Sequence, residues 1–168
     1  MDDAAIRQLL ALADCAPTHG HTEPWSFIVF ANDSVRQFCK DHAELYKAHT
    51  PEEKFETAKF EKLLHNGDHC SHIIAVYMKR GTNPKITARE EICAVAAAIQ
   101  NILLGASTLD IAALWSTGGL TYHTAMKTYF GLDEEDHMIG LLYLGYSDQQ
   151  PKEGRRIVPL QEKMEWRG

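Results

Sequence analysis

The sequence lacks any Cys-x-x-Cys pair: its four cysteines, Cys15, Cys39, Cys70 and Cys93, are scattered along 168 residues. With no signal-peptide pattern at the start, such cysteines read as reduced thiols of a cytoplasmic protein, not as a disulfide framework. Basic charge is also short: 17 Lys and Arg face 23 Asp and Glu, for a net charge of −6. That excludes nucleic acid as the main partner, because phosphate binding needs a basic face. No apolar run reads as long enough to span a bilayer, so no membrane partner is expected. There is no internal repeat and no linker. What remains, 45% hydrophobic and 24% charged residues, is the composition of an ordinary globular protein, and the length suits one domain, 1–168, with a real core.

Hydrophobic periodicity places the elements. Met1 to Cys15 reads as a helix capped by Asp2 or Asp3, with Ile6, Leu9, Leu10 and Ala13 on one face. Trp25–Phe30 reads as a buried strand, and a second helix runs from Val35 to about His49 after the Asn32-Asp33-Ser34 turn. Thr50 as cap and Pro51 at the first position predict a peripheral helix ending at Asn66-Gly67. His72–Met78 is a second buried strand. Ala88 to about Thr108 is the most apolar helix; from Ile92 to Ile99 it is apolar on every side, which predicts burial in a core or against a partner subunit. A short strand, Ala112–Trp115, precedes a helix capped by Thr121 and ending at Phe130-Gly131. Strand Met138–Leu144 closes the core. Alternating strands and helices make a layered domain. The tail from Ser147 is polar but carries Ile157, Val158, Leu160, Met164 and Trp166, and is expected to pack on something.

The loop before the first strand, Ala16-Pro17-Thr18-His19-Gly20-His21-Thr22-Glu23-Pro24-Trp25, holds two histidines, two threonines and a glycine. Such a loop can wall a polar, planar ligand, with Gly20 allowing close approach of the backbone. The alternative reading, and the favoured one for the loop alone, is an ordinary connection with surface histidines.

The loop also resembles a signature. Ala-Pro-x-His-x-x-x-x-Pro-Trp followed by a hydrophobic strand is similar to the FMN-dependent nitroreductase family, in its small single-domain subgroup. Ala98–Ala106 resembles the family's central helix, Ala113–Leu120 with its Trp-x-x-Gly its flavin-edge strand and loop, and Ile139–Tyr146 its last core strand. The four segments occur in the family's order across roughly 9–147.

The resemblance implies an α+β fold, a layered α-β-α sandwich with a mostly antiparallel central sheet. It implies a homodimer formed through the central helix, with the tail 147–168 embracing the partner. It implies FMN as cofactor and NAD(P)H as co-substrate. In the ping-pong scheme NAD(P)H reduces the flavin and leaves, and a small acceptor such as a nitroaromatic or quinone then takes the electrons. No side chain is expected to act as acid or base; the flavin carries the chemistry. His19 is implied to reach FMN from the partner subunit, and Trp115, Ser116, Thr117 and Gly118 to lie along the ring and ribityl chain. Backbone N–H groups at Thr117-Gly118-Gly119 are suited to negative charge on reduced flavin. This sequence departs from the pattern in three places. The first helix with an Arg-Arg-Ser phosphate grip is missing, Cys15 stands where a relative has arginine, and Glu23 stands for the expected glutamine. Arg155 and Arg156, the adjacent arginine pair in the tail, are candidates to hold the phosphate instead; a solvated basic pair is the equal alternative. The departures leave a second functional reading, a non-catalytic or weakly flavin-binding protein of the same fold.

His65-Asn66-Gly67-Asp68-His69-Cys70-Ser71-His72 invites a metal reading, but Gly67 breaks the helix that would align His65 with His69, so a polar turn with surface histidines is expected. Cys15 is read as a packing residue.

Overall fold

The computed structural model describes residues 1–149 and 154–168. Among them are helices α1 (Asp3–Ala13), α2 (Asp33–His49), α3 (Thr57–His65), α4 (Ala88–Thr108) and α5 (Thr124–Phe130). The strands are β1 (Trp25–Ala31), β2 (His72–Met78), β3 (Ala112–Ser116) and β4 (His137–Gly145). The strands form one sheet in the order β1-β2-β4-β3, every neighbouring pair antiparallel.

The sheet is covered on both faces. Successive side chains of a strand point to opposite sides, so Ile74 and Val76 of β2 join Leu142 and Leu144 of β4 in a core with Ile6 and Leu9 of α1 and Ile99 and Ile102 of α4. Ile73, Ala75 and Leu141 face the other way, onto Val35 and Phe38 of α2 and Met126 of α5. Burial on both faces explains why β2 and β4 read as continuous apolar runs instead of alternating ones. The result is the expected α+β, α-β-α sandwich.

Two local expectations are corrected. The helix from Thr50 does not form: Pro51 opens one 3-10 turn, Glu52–Lys54, and α3 starts at Thr57. Tertiary contacts decide it. Phe55 stacks on Tyr46 with ring centroids 5.5 Å apart, and the Glu56 N–H donates to the Tyr46 hydroxyl at 3.0 Å, which holds this stretch extended. Next, α5 is capped by His123, whose Nδ1 accepts from the Ala125 N–H at 3.1 Å, while Thr121 is fully buried. Within the protomer α4 is covered on one side only. Ala94, Val95, Ala98, Ile99 and Ile102 are buried, Ala96 and Ala97 are half-buried, and Cys93 and Leu104 are exposed, because sheet and α1 cover only one side. By length and composition α4 could cross a membrane, contrary to expectation, but its packing against α1, β1, β2 and β4 makes it a core helix.

A buried polar lock fixes the start of α4. Arg80, just after β2, reaches Glu91 Oε2 at 2.5 Å and donates to the Ile86 carbonyl at 2.7 Å. Glu91 also accepts the Gly81 N–H, and Asp136, ahead of β4, accepts the Arg80 N–H at 2.9 Å. Glu91 and Asp136 are both buried, and this network supplies the partners that buried charges require.

The edge strand β3 is the least covered: Ala112 to Trp115 are all exposed, Leu114 by 61%. The tail residues Ile157 and Trp166 are 89% and 88% exposed.

Candidate functional site

The site is built around an irregularity in β4. Val76 pairs with Gly140, but the next residue, Tyr77, pairs with Met138, so Ile139 is an extra residue that β2 does not match. A bulge of this kind frees main-chain groups from the ladder and re-aims neighbouring side chains. The Ile139 carbonyl accepts from Trp115 Nε1 at 3.2 Å and from the Tyr122 hydroxyl at 3.4 Å. The Trp115 ring therefore lies over Gly140, where a Cβ would collide with the indole. The glycine is explained by close approach of the ring, not by backbone conformation.

Beyond Trp115 the chain leaves β3 through a tight loop. Ser116 Oγ accepts the Gly118 N–H at 3.3 Å, and Thr121 Oγ1 donates to the Gly118 carbonyl at 2.7 Å. Gly119 has φ of 65°, a left-handed conformation suited to glycine. On the inner side stands His42 of α2, 1% exposed. Its Nε2 accepts the Leu120 N–H at 3.1 Å. Burial lowers its imidazole to about 4, so the ring is neutral near pH 7, and the acceptor role of Nε2 puts the proton on Nδ1.

In front of Trp115 opens a cleft of about 430 Å3 walled by Ile92 and Ala96 of α4, Trp115, Tyr122, Lys127 and Met138. Its walls are mainly apolar and aromatic. The Lys127 ammonium is turned to the Glu134 carbonyl at 2.6 Å.

His19 lies in the loop before β1. Its Nδ1 is 2.7 Å from Glu90 Oε1, beside the first turn of α4. Glu90 is also bonded to the N–H and hydroxyl of its cap, Thr87, at 2.8 and 2.9 Å. Those Thr87 hydrogen bonds, with help from His19, bring the Glu90 carboxyl down to about 2. The loop carries left-handed φ at Gly20, His21 and Glu23, of 61°, 53° and 42°. The two non-glycine residues are exposed, so core packing does not account for their strain, and strained exposed loops are where ligand contacts concentrate. The Glu23 N–H is held by Thr18 Oγ1 at 3.2 Å.

Of the four residues named in sequence, Trp115 lines the cleft, Ser116 lines a separate pocket with Asn66 and Tyr143, and Thr117 and Gly118 continue into the loop that leaves β3. Within the protomer, no hydrogen bond or ion pair among the described residues joins His19 to them. Arg155 and Arg156 are exposed; the Arg156 guanidinium donates to the Arg155 carbonyl at 3.2 Å. Gly118's N–H is engaged by Ser116, which leaves Thr117 and Gly119 as the main-chain donors of that segment. The histidine-rich turn holds no metal-type cluster among the described residues. Its members have local partners: His65 pairs with Asp68 at 2.9 Å, which raises the imidazole's pKa. His72 is buried rather than on the surface, 3.1 Å from Asp3. Cys15 is exposed, against the expectation of a packing residue, with its thiol on the Ala11 carbonyl.

Sequence reasoning missed His42, the Ile139 bulge and Tyr122. A signal existed for His42, which falls at helical spacing with Val35, Phe38 and Cys39, on the face that α2 buries. A bulge leaves no comparable trace in a strand pattern.

Comparison with known proteins places this arrangement. The Nitroreductase family matches residues 1–146. A Bacillus subtilis (strain 168) protein named "Putative NAD(P)H nitroreductase YfhC" is 24% identical over 161 residues, covering 95% of this chain and 81% of its own length. A nitroreductase-like family protein from Bacillus cereus has a structure similar to this one, with a TM-score of 0.80, 28% identity, and coverage of 99% and 85% of the two chains. A "putative nitroreductase in complex with fmn" from Desulfovibrio desulfuricans shares the fold with a TM-score of 0.71 at 23% identity, over 100% of this chain and 86% of the other.

Proposed function

Because the chain belongs to the nitroreductase family, we propose that it is an FMN-dependent oxidoreductase. It passes electrons from NAD(P)H to a nitroaromatic, quinone or similar small acceptor by a ping-pong scheme, as a cytoplasmic homodimer. The observation that carries this reading is the mainly apolar cleft in front of Trp115, the residue from which the chain enters the glycine loop.

The residues present fit the ring portion of FMN. The flavin needs an apolar slab, and Ile92, Ala96, Met138 and the exposed aromatics supply one in a cleft of about 430 Å3. The loop that follows Trp115 would supply the hydroxyls of Ser116 and Thr117 and the main-chain N–H groups of Thr117 and Gly119, with Gly118 allowing close approach. The phosphate needs cations, for which Arg155 and Arg156 of the tail are the proposed source. FMN, when bound, supplies the capacity to take a pair of electrons from NAD(P)H and release it to a second molecule. The protein's part is positional. Trp115, fixed by the Ile139 carbonyl, forms a rigid wall. Thr117 and Gly119 would offer main-chain N–H groups to negative charge on the ring. His19 contributes from the partner subunit after exchanging its Glu90 contact. The tail, 147–168, packs on the partner and covers Ile157 and Trp166.

One observation favours the second reading, a weakly flavin-binding or non-catalytic protein: within the protomer the arginine pair is solvated, and Lys127 is already turned to a carbonyl. A visible spectrum separates the two. Protein reconstituted with FMN and desalted is expected to keep flavin absorbance that NAD(P)H bleaches; colourless protein would establish the second reading.

A further inference from the structure

We propose that His42, outside every segment that carries the family resemblance, is a positioning residue that holds the Ser116–Leu120 loop in the shape that receives the flavin. The inference rests on the flavin reading of that loop.

The argument begins with the loop's fastenings. At its outer end Ser116 Oγ and Thr121 Oγ1 bracket the Gly118 peptide. These bonds tie the loop to itself. They set its curl, while pairing of Ser116 with Leu141 and the Tyr122 hydroxyl on the Ile139 carbonyl hold its flanks to β4. Between those flanks the tie to α2 is the Leu120 N–H, which donates to His42 Nε2 at 3.1 Å. It spans 78 positions of sequence, from the last core-facing half of α2 to the turn before α5. Only a ring nitrogen in its unprotonated form can accept there, and burial keeps the imidazole in that form.

Shape complementarity makes the same point. The hydrogen-only face of Gly119 is seated against the imidazole, where any Cβ would collide with Nε2 and lie 3.0 Å from Leu63 Cδ2. The left-handed Gly119 is thus fitted to the histidine and to α3 as well as to its own turn. The peptide that His42 fastens, Gly119–Leu120, follows directly on the one that carries the Gly119 N–H, whose Gly118 carbonyl is held by Thr121, so His42 fixes the far side of one of the two main-chain donors remaining in the segment. A histidine at a fully buried helix position, where an aliphatic side chain would pack as well, has this bond as its physical reason.

Three variants test the inference. His42→Phe keeps bulk and removes the acceptor. His42→Gln keeps an acceptor oxygen. Gly119→Ala attacks the contact from the loop side and covers the case in which His42→Phe does not fold. Two measurements are made on each: protection of the Leu120 amide from hydrogen exchange in the ligand-free protein, and FMN affinity with the two-electron potential of the bound flavin. His42→Phe and Gly119→Ala are expected to lose Leu120 protection and weaken FMN about tenfold. Reduced flavin should be lost about tenfold further than oxidised flavin, a potential lower by about 30 mV. His42→Gln should stay within about threefold of wild type. Equal FMN affinity and potential in wild type and His42→Phe would overturn the inference alone, as would His42→Gln falling as far as His42→Phe, since packing rather than the acceptor would then be the cause. Wild-type protein that holds no FMN would overturn the functional reading and this inference together.

Discussion

Acidification should weaken this fold through one residue, and the size of the effect follows from where that residue sits. In the unfolded chain the His42 imidazole takes up a proton near 6.5; in the folded protein burial holds it down to about 4. Each tenfold in proton affinity is worth about 1.4 kcal/mol, so the whole difference is worth about 3 kcal/mol. The sign follows from which state accepts the proton. Above pH 6.5 both states are neutral and nothing is lost. Between 6.5 and about 4 the unfolded chain is protonated and the folded protein is not, so stability falls as pH falls. Below about 4 the folded protein is protonated too and the loss levels off. Glu90, held to about 2, begins to cost stability only as pH falls below its ordinary 4.5, which leaves the interval from 6.5 to 4.5 largely to histidine. His65, raised by Asp68, works in the opposite direction and above this interval: its contribution grows as pH falls toward 6.5 and is complete below it. The assay is therefore a comparison: urea unfolding followed by tryptophan fluorescence at several pH values, for wild type and His42→Gln. The variant keeps His65 and loses the buried imidazole. Wild type should lose about 1 to 1.4 kcal/mol per pH unit more than the variant in that interval. Parallel profiles would refute the argument, because they would mean that His42 is as readily protonated in the folded protein as in the unfolded one.

Gly140→Ala should push the Trp115 indole off the Ile139 carbonyl, at a cost of about 1–3 kcal/mol, seen as a changed near-ultraviolet circular dichroism spectrum and a lower urea midpoint. Glu91→Ala strips the partner from Arg80 in a buried network and should cost about 3–5 kcal/mol in urea unfolding. Replacing Arg155 and Arg156 together by alanine removes charge-assisted bonds of about 1.5–3 kcal/mol each; FMN affinity should fall more than tenfold while riboflavin, without a phosphate, binds as before in a fluorescence titration. Light scattering at micromolar concentration should give the mass of two chains.

The sandwich was legible because its signals are local and strong. Continuous apolar runs at His72–Met78 and Met138–Leu144 belong to strands buried on both faces, and the long apolar run from Ala88 to Thr108 is α4. Where sequence reasoning failed, a distant residue had overruled a local preference. Pro51 with acids behind it is a sound helix start, yet Tyr46, several residues upstream on α2, claims Phe55 and the Glu56 N–H. The site divides in the same way. The candidate segment Trp115–Gly118 comes from the family pattern, since its residues alone read as a glycine turn between strand and helix. The groups that place it, the Ile139 carbonyl and His42 Nε2, contribute through a bulge and a contact across the fold, and neither has a periodicity to read.

The uncovered strand β3 has a consequence for how the protein is made. Ala112-Ala113-Leu114-Trp115-Ser116 contains no charge and no proline, and its outer edge has no neighbour in the sheet order. An apolar edge with open main-chain groups is a template for any passing extended segment, and nothing in these five residues works against such pairing. Until the edge is covered, each new chain stands between correct assembly and strand addition to its neighbours. Crowded overproduction should therefore favour inclusion bodies that stain as cross-β.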